Sequence, residues 1–187
     1  MTGQLLIAGV GNIFLGDDGF GVEVASRLAS ADLPDWAHVV DYGIRGMHLA
    51  YDLAGGYSAA ILIDATPRGG TPGTIYVIEP DMQTPSPAAP ADEAALAASP
   101  LFNAHGMQPD VVFSMLGMLA AESVQVLVVG CEPASVDYGI GLSEPVTAAV
   151  DEAVRVVLDL VSSTATTAGG DHQLVTKEWA GVPRDSR

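Results

Sequence analysis

Short apolar runs and amphipathic stretches take turns along the chain up to about residue 160, and each change of pattern marks an element. Residues 4–9, QLLIAG, form an apolar run closed by glycine, which has the length and flank of a buried strand. Phe20, Val24 and Leu28 then recur every four residues and predict a helix over 20–28. HVVDYG (38–43) reads as a second strand, and MHLAYDLA (47–54) as a short helix after Gly46. AAILIDA (59–65) is the strongest strand signal in the chain, and TIYVIEP (74–80) is another, closed by Pro80. Residues 81–104 are rich in Pro, Ala and Ser and predict a long loop or a loose helical segment. Inside a compact domain such a loop usually covers a site. A helix over 110–122 follows, with Pro109 near its N-terminus, where proline is tolerated. VQVLVVG (124–130) is a last strand, and 145–161 a last helix.

Strands alternating with helices predict an α/β fold with a largely parallel sheet covered on both faces. One connection breaks the alternation. TPRGGTPG (66–73) is too short for a crossover helix, which takes about a dozen residues, so strand 74–80 is expected to run antiparallel to strand 59–65. Residues 1–161 read as one domain. Residues 162–187, SSTATTAGGDHQLVTKEWAGVPRDSR, lose apolar periodicity and are expected to form a flexible tail, with Trp179 the residue suited to dock it. There is no internal repeat.

Composition narrows the class further. A chain of 187 residues, 49% hydrophobic and 16% charged, is long and apolar enough to form a compact globule. Its longest apolar runs fall well short of the ~20 residues that span a bilayer, so no membrane role is expected. The start, MTGQLLIAGVGN, has no basic segment and no cleavage pattern, and no signal peptide is read there. Cys131 is the only cysteine, which leaves no disulfide framework and no cysteine metal site, and makes a reducing cytoplasm the expected setting. The formal charge is −16, and the basic residues before position 160 are Arg27, Arg45, Arg68 and Arg155. That balance disfavours nucleic acid, which needs a basic footprint. It suits a cation or a partner with a basic segment, although acidity kept for solubility is an equal reading.

Candidate chemistry begins at GVGNIFLGDDGFG (9–21). Gly9 and Gly11 fit the first two positions of G-x-G-x-x-G, but Phe14 stands where the third glycine belongs. Gly11 and Gly16 have the spacing of a G-x-x-x-x-G-K-S/T loop, but Asp17 and Asp18 replace its lysine and hydroxyl residue. A carboxylate there repels phosphate. A helix cap accounts for one aspartate and leaves the second without a role; Asp17 is expected to cap or buttress the following helix, with Asp18 left to reach into a crevice. Gly16, Gly19 and Gly21 keep the pair open to close approach.

Asp64 ends the most apolar strand, where an ionised carboxylate is costly unless it is paired, hydrogen-bonded or bound to a metal. Ligands of open α/β sheets sit at the C-terminal strand ends, and a strand order beginning 2-1-3 brings the first loop and the end of strand three together. Asp18 and Asp64 are then expected to face one crevice; backbone N–H groups of the next turn are the other way to satisfy Asp64. Of the four histidines, His172 lies in the tail, His48 on a helix and His38 at a strand start. His105, in NAHGMQPD, would complete an O,O,N set suited to nickel or zinc. No H-E-x-x-H occurs, and GYSAA (56–60) lacks the second glycine of a nucleophile elbow. Cys131 has no histidine partner to activate it.

Taken together, these residues resemble the maturation endopeptidases of [NiFe] hydrogenases. GVGNIFLGDDGFG is similar to that family's G-x-G-N-x-x-x-x-D-D/E-x-x-G, DYGIRGM (41–47) to its D-x-G-x-x-G-M/L, and ILIDA (61–65) to its apolar strand followed by Asp-Ala. AHGM (104–107) resembles its loop histidine element, and GCEPASVDYGIGLSEPV (130–146) its closing stretch; the five elements stand in the family's order over about residues 5–160. The resemblance implies a three-layer α/β/α sandwich with a five-stranded, mostly parallel sheet and one antiparallel strand. It implies an activity too: removal of the C-terminal extension of a hydrogenase large-subunit precursor after nickel insertion. The metal-sensing residues match Asp18, Asp64 and His105, the first being glutamate in some members. No cofactor is implied as permanently bound. Nickel comes with the substrate, and other divalent metals suit the same site. The implied partner is the large-subunit precursor, with no nucleic acid or membrane, and the implied state is a monomer. Asp41 and Gly43 are expected to line the adjacent cleft wall, with Arg45 as a contact for an acidic group on charge alone. Hydrolysis through nickel-activated water or through an aspartate general base are both open. Two other readings stand beside this one: a non-catalytic nickel-sensing chaperone, and a nucleotide-binding oxidoreductase, against which Phe14, Asp17 and Asp18 count.

Overall fold

In the first strand, β1 (Gln4–Val10), every residue but Gln4 is buried, so both of its faces are covered, as a central strand of an α/β sheet requires. The computed structural model describes residues 3–80, 124–166, 172–174 and 184–185. After β1 come α1 (Phe20–Leu28), β2 (Ala37–Gly43), α2 (Gly46–Ala54), β3 (Tyr57–Ala65), β4 (Ile75–Ile78), β5 (Gln125–Cys131) and α3 (Glu144–Ser162). Each falls within two residues of the boundaries read from the sequence. The loop expected over 81–104 and the helix expected over 110–122 lie outside the described residues.

The sheet runs β2-β1-β3-β5-β4, with β1, β2, β3 and β5 parallel and β4 antiparallel. Strand 74–80 thus runs opposite to strand 59–65, as the short connection required. Its hydrogen-bonded neighbour, however, is β5 and not β3. The loop 66–73 crosses the end of β5 to make this possible. Thr66 N–H donates to the Cys131 carbonyl at 2.8 Å, and Gly73 N–H to the Glu132 carbonyl at 2.8 Å.

Strand alternation sorts the core onto two faces. Ile61 and Ile63 of β3 point with Leu5, Ile7, Leu127 and Val129 toward α1 and α3. Ala60 and Leu62 point with Leu6, Ala8, Val126 and Val128 toward Leu49 and Leu53 of α2. The result is a three-layer α/β/α sandwich in which each buried Leu, Ile, Val or Phe contributes about 1.5–3 kcal/mol. In α3, Pro145 sits in the first turn, and Val146, Val150, Val157 and Leu160 form its buried stripe. Gly21 sets the depth at which α1 seats: a Cβ there would stand 2.1 Å from the Ile63 carbonyl oxygen.

Of the segment read as a tail, the described parts are paired. β6 (Ala165–Thr166) and β7 (His172–Gln173) form a short antiparallel ladder, and β8 (Arg184–Asp185) adds a two-residue parallel strand beside β4. Leu174 is buried in the core, and the Gln125 amide bonds its backbone N–H and carbonyl at 2.8 and 3.1 Å. Trp179 lies outside the described residues. Among those described, no helix is long and apolar enough to cross a membrane.

Candidate active site

The parallel strands deliver their loops to one edge of the sheet, and the loop after β1 lies between two others. On one side Gly11 N–H donates to the Gly43 carbonyl at 3.0 Å, joining it to the loop after β2. On the other, Gly16 N–H donates to the Gly139 carbonyl at 2.9 Å and Gly139 N–H to the Phe14 carbonyl at 3.0 Å, joining it to the loop after β5. Gly11 has φ +128°, open to glycine and strained for other residues.

Asp18 stands on a single 3-10 turn, Gly16–Gly19, that leads into α1. Its Oδ2 accepts the Asn12 N–H at 2.7 Å. Burial pushes its pKa above the ordinary 3.8, and the Asn12 bond offsets part of the rise. Asp64 is the penultimate residue of β3 and only 2% exposed. Its Oδ1 accepts the Ala65 N–H at 2.9 Å. Burial, and then the charge of Asp18, push the Asp64 pKa well above 3.8. Gly11 stands between them: a Cβ on it would lie 1.8 Å from the Asp18 carbonyl oxygen and 3.7 Å from Asp64 Oδ1. Neither carboxylate forms an ion pair among the described residues, where the salt bridges are those of Arg27 with Glu23 and Asp151.

Asp17 faces the other way. It is 1% exposed, and its Oδ2 accepts the N–H groups of Ala134 and Ser135 at 2.8 and 3.1 Å. Ser143 donates its N–H to Oδ1 at 2.6 Å and its hydroxyl to Oδ2 at 2.9 Å. Burial alone raises its pKa, but these four donors outweigh burial and hold it below 3.8. Neither aspartate side chain caps α1, whose N-cap is Gly19. The capping expected of Asp17 is replaced by a tie to the residue that begins another helix, since Ser143 is the N-cap residue of α3.

Comparison with known proteins meets this geometry with a match to the HycI hydrogenase maturation protease family over residues 22–160. The chain belongs to that family. It is 34% identical over 159 residues to a Methanocaldococcus jannaschii protein named for hydrogenase maturation protease activity, covering 83% of this chain and 94% of the other. It is 29% identical over 156 residues to the hydrogenase 2 maturation protease of Escherichia coli, covering 83% and 88%. Among solved structures, the hydrogenase maturating endopeptidase HybD of Escherichia coli superposes with a TM-score of 0.65 at 27% identity, over 85% of this chain and 92% of that one. The family match includes Asp64 and His105 and begins after Asp18.

Membership in the hydrogenase maturation proteases leaves the oxidoreductase reading without support. The turn after β1 is also built against it, with one aspartate locked inward and the other facing a second carboxylate. His105 lies outside the described residues, and among those described no three His, Cys, Asp or Glu side chains gather as a metal-binding group. Asp41, two residues before the end of β2, and Arg45, on the loop that follows, lie exposed on either side of Gly43, the last residue of the strand, whose φ is +52°. Arg45 Nε donates to the Tyr42 carbonyl at 3.0 Å and its Nη2 to the Asp41 carbonyl, so the side chain braces its own loop.

Cys131 is fully buried in the α1/α3 core, and burial, with the charges of Asp17 and Glu132, pushes its thiol up to about 12, which rules it out as a thiolate nucleophile. Glu132 went unread in the sequence. It is 5% exposed and accepts the Arg68 and Gly69 N–H groups and, at 2.8 Å, the Tyr76 hydroxyl. Burial raises its pKa, but these bonds and one from Gly70 N–H bring it below the ordinary 4.5. Its carboxylate fixes the loop that follows Asp64. A carboxylate ending a buried strand is the same signal that singled out Asp64.

Proposed function

We propose that this chain is the endopeptidase that removes the C-terminal extension of a [NiFe] hydrogenase large-subunit precursor after nickel insertion, and that it recognises the bound nickel through Asp18, Asp64 and His105. The supporting observation is the carboxylate pair: Asp64 is buried beside Asp18, its pKa is raised by burial first and then by the charge of Asp18, and neither forms an ion pair among the described residues. Two carboxylates held together in a poorly hydrated crevice destabilise each other until a cation arrives. A divalent ion carried in by the substrate removes that penalty, and His105 completes an O,O,N set of the kind nickel favours. The protein needs no resident metal in this scheme, and other divalent ions suit the same donors.

Holding the nickel places the peptide that follows it in the crevice. A metal ion polarises a carbonyl or lowers the pKa of bound water toward ~7. An aspartate base is the second route, favoured by the raised pKa of Asp64, since a base works best when its pKa approaches the working pH. Asp41 and Gly43 form the adjacent wall, and Arg45 offers a contact for an acidic substrate group. We place the reaction in the cytoplasm, on a monomer.

Asp18→Ala and His105→Ala test the assignment. Each should abolish processing of the nickel-loaded precursor while thermal unfolding stays cooperative; a double variant that still cuts would overturn the ligand set. A nickel-sensing chaperone uses the same ligands, and wild-type protein that binds the precursor and never shortens it would decide for that role.

A further inference from the structure

The two loops that Asp17 ties together carry five exposed apolar side chains. Ile13 and Phe14, after β1, are 47% and 58% exposed; Val136, Tyr138 and Ile140, after β5, are 50%, 82% and 82% exposed. The backbone bonds through Gly139 hold these loops edge to edge, so the five form one surface. Soluble monomers seldom leave so many large apolar residues together in water without a binding role. The surface is preorganised as well, because the four bonds to Asp17 and the Gly139 ladder order it before any partner arrives.

Ile13 and Ile140 continue from this surface into a groove of about 300 Å³ between α1 and α3, floored by Val22, Leu142 and Val150. Its charged side chains are Glu23 and Arg27, and Arg27 is already engaged by Glu23 at 3.1 Å and Asp151 at 2.7 Å. With Asp137 and Glu144 exposed nearby, the rim is acidic around an apolar centre. Strand alternation puts Asp64 with Ala60 and Leu62 on the opposite, α2, face of the sheet. The apolar surface therefore flanks the crevice and is separate from it.

We infer that this surface and groove dock the folded body of the large-subunit precursor through an apolar patch rimmed by Lys and Arg, while its C-terminal segment reaches the aspartates. The inference rests on the proposed substrate. That occupant fits because the surface shares its loop with Asp18, and because the acidic rim of a −16 chain selects a basic-rimmed partner.

The test uses the full-length protein and nickel-free precursor, which presents the body without the ion. Wild type should bind it, more weakly as salt is raised, and the Tyr138→Ser/Ile140→Ser variant should bind at least about tenfold more weakly at an unchanged thermal midpoint. Phe14→Ser, on the other loop, should weaken binding in the same direction. Equal binding by wild type and variants, or no binding of nickel-free precursor by wild type, would overturn the inference. So would a wild-type dimer in sedimentation that the double variant abolishes, since the surface would then belong to a second copy. If binding depends on the surface but the nickel-loaded precursor is never cut, the docking inference stands and the protease assignment fails.

Discussion

Asp17 and Ser143, 126 residues apart in sequence, are joined by two hydrogen bonds, N–H to Oδ1 at 2.6 Å and hydroxyl to Oδ2 at 2.9 Å. Together with Ala134 and Ser135 they bind the loop after β1 to the start of α3. Asp18 follows Asp17 directly, so its position is set by a clamp facing the opposite way.

Asp17→Asn should destabilise the protein by about 2–3 kcal/mol in urea unfolding at pH 7, because it replaces a charged acceptor of four bonds with a neutral amide. The pKa of Asp17 is lowered, so its contribution is present above 3.8 and lost as the pH falls through the folded-state value. The gap between wild type and variant should therefore close in acid. A gap that is constant with pH would contradict the clamp.

Asp64→Asn should act in the opposite sense. The Asp64 pKa is raised, so the folded state favours its protonated form, and the stability from that preference is present below 3.8 and lost as the pH rises through the folded-state value. At neutral pH the amide variant should be more stable than wild type while processing is lost, and the two should converge below pH 3.8. A variant less stable than wild type at pH 7 would contradict the strained carboxylate pair.

How much of this was legible in the sequence depends on distance along the chain. The layers and strand boundaries followed from local pattern, since a buried strand such as ILIDA writes its burial into adjacent residues. The burial of Asp64 was legible for the same reason, as a charge ending an apolar run. The partner of β4 was not, because a short loop fixes the direction of the next strand and leaves its neighbour open. The clamp was hidden because the donors to Asp17 lie 117 to 126 residues away, and local capping rules pointed only to the helix that follows it in sequence. Glu132 carries the same local signal as Asp64, a charge directly after a buried strand.

Gly11→Ala tests the turn itself. The residue has φ +128°, and its new Cβ would stand 1.8 Å from the Asp18 carbonyl oxygen. Stability should fall by about 1–3 kcal/mol. Processing should fall about 10²-fold although no proposed ligand is removed, because Asp18 shifts. Near-normal processing would show that the position of Asp18 does not depend on this contact.

Glu132→Gln should loosen the loop after Asp64. The N–H groups of Arg68, Gly69 and Gly70 lose a charged acceptor, and their hydrogen exchange should quicken by about tenfold while the β1 amides stay protected. Uniform acceleration across the sheet would mean that Glu132 supports the whole fold and not that loop.

Purified protein incubated with nickel-loaded and with nickel-free large-subunit precursor, the products weighed by mass spectrometry, decides whether nickel governs the cleavage. The nickel-loaded precursor should lose its C-terminal extension and the nickel-free one should stay whole. Cleavage of both at equal rates would contradict recognition of nickel by Asp18, Asp64 and His105, and cleavage of neither would contradict the protease assignment.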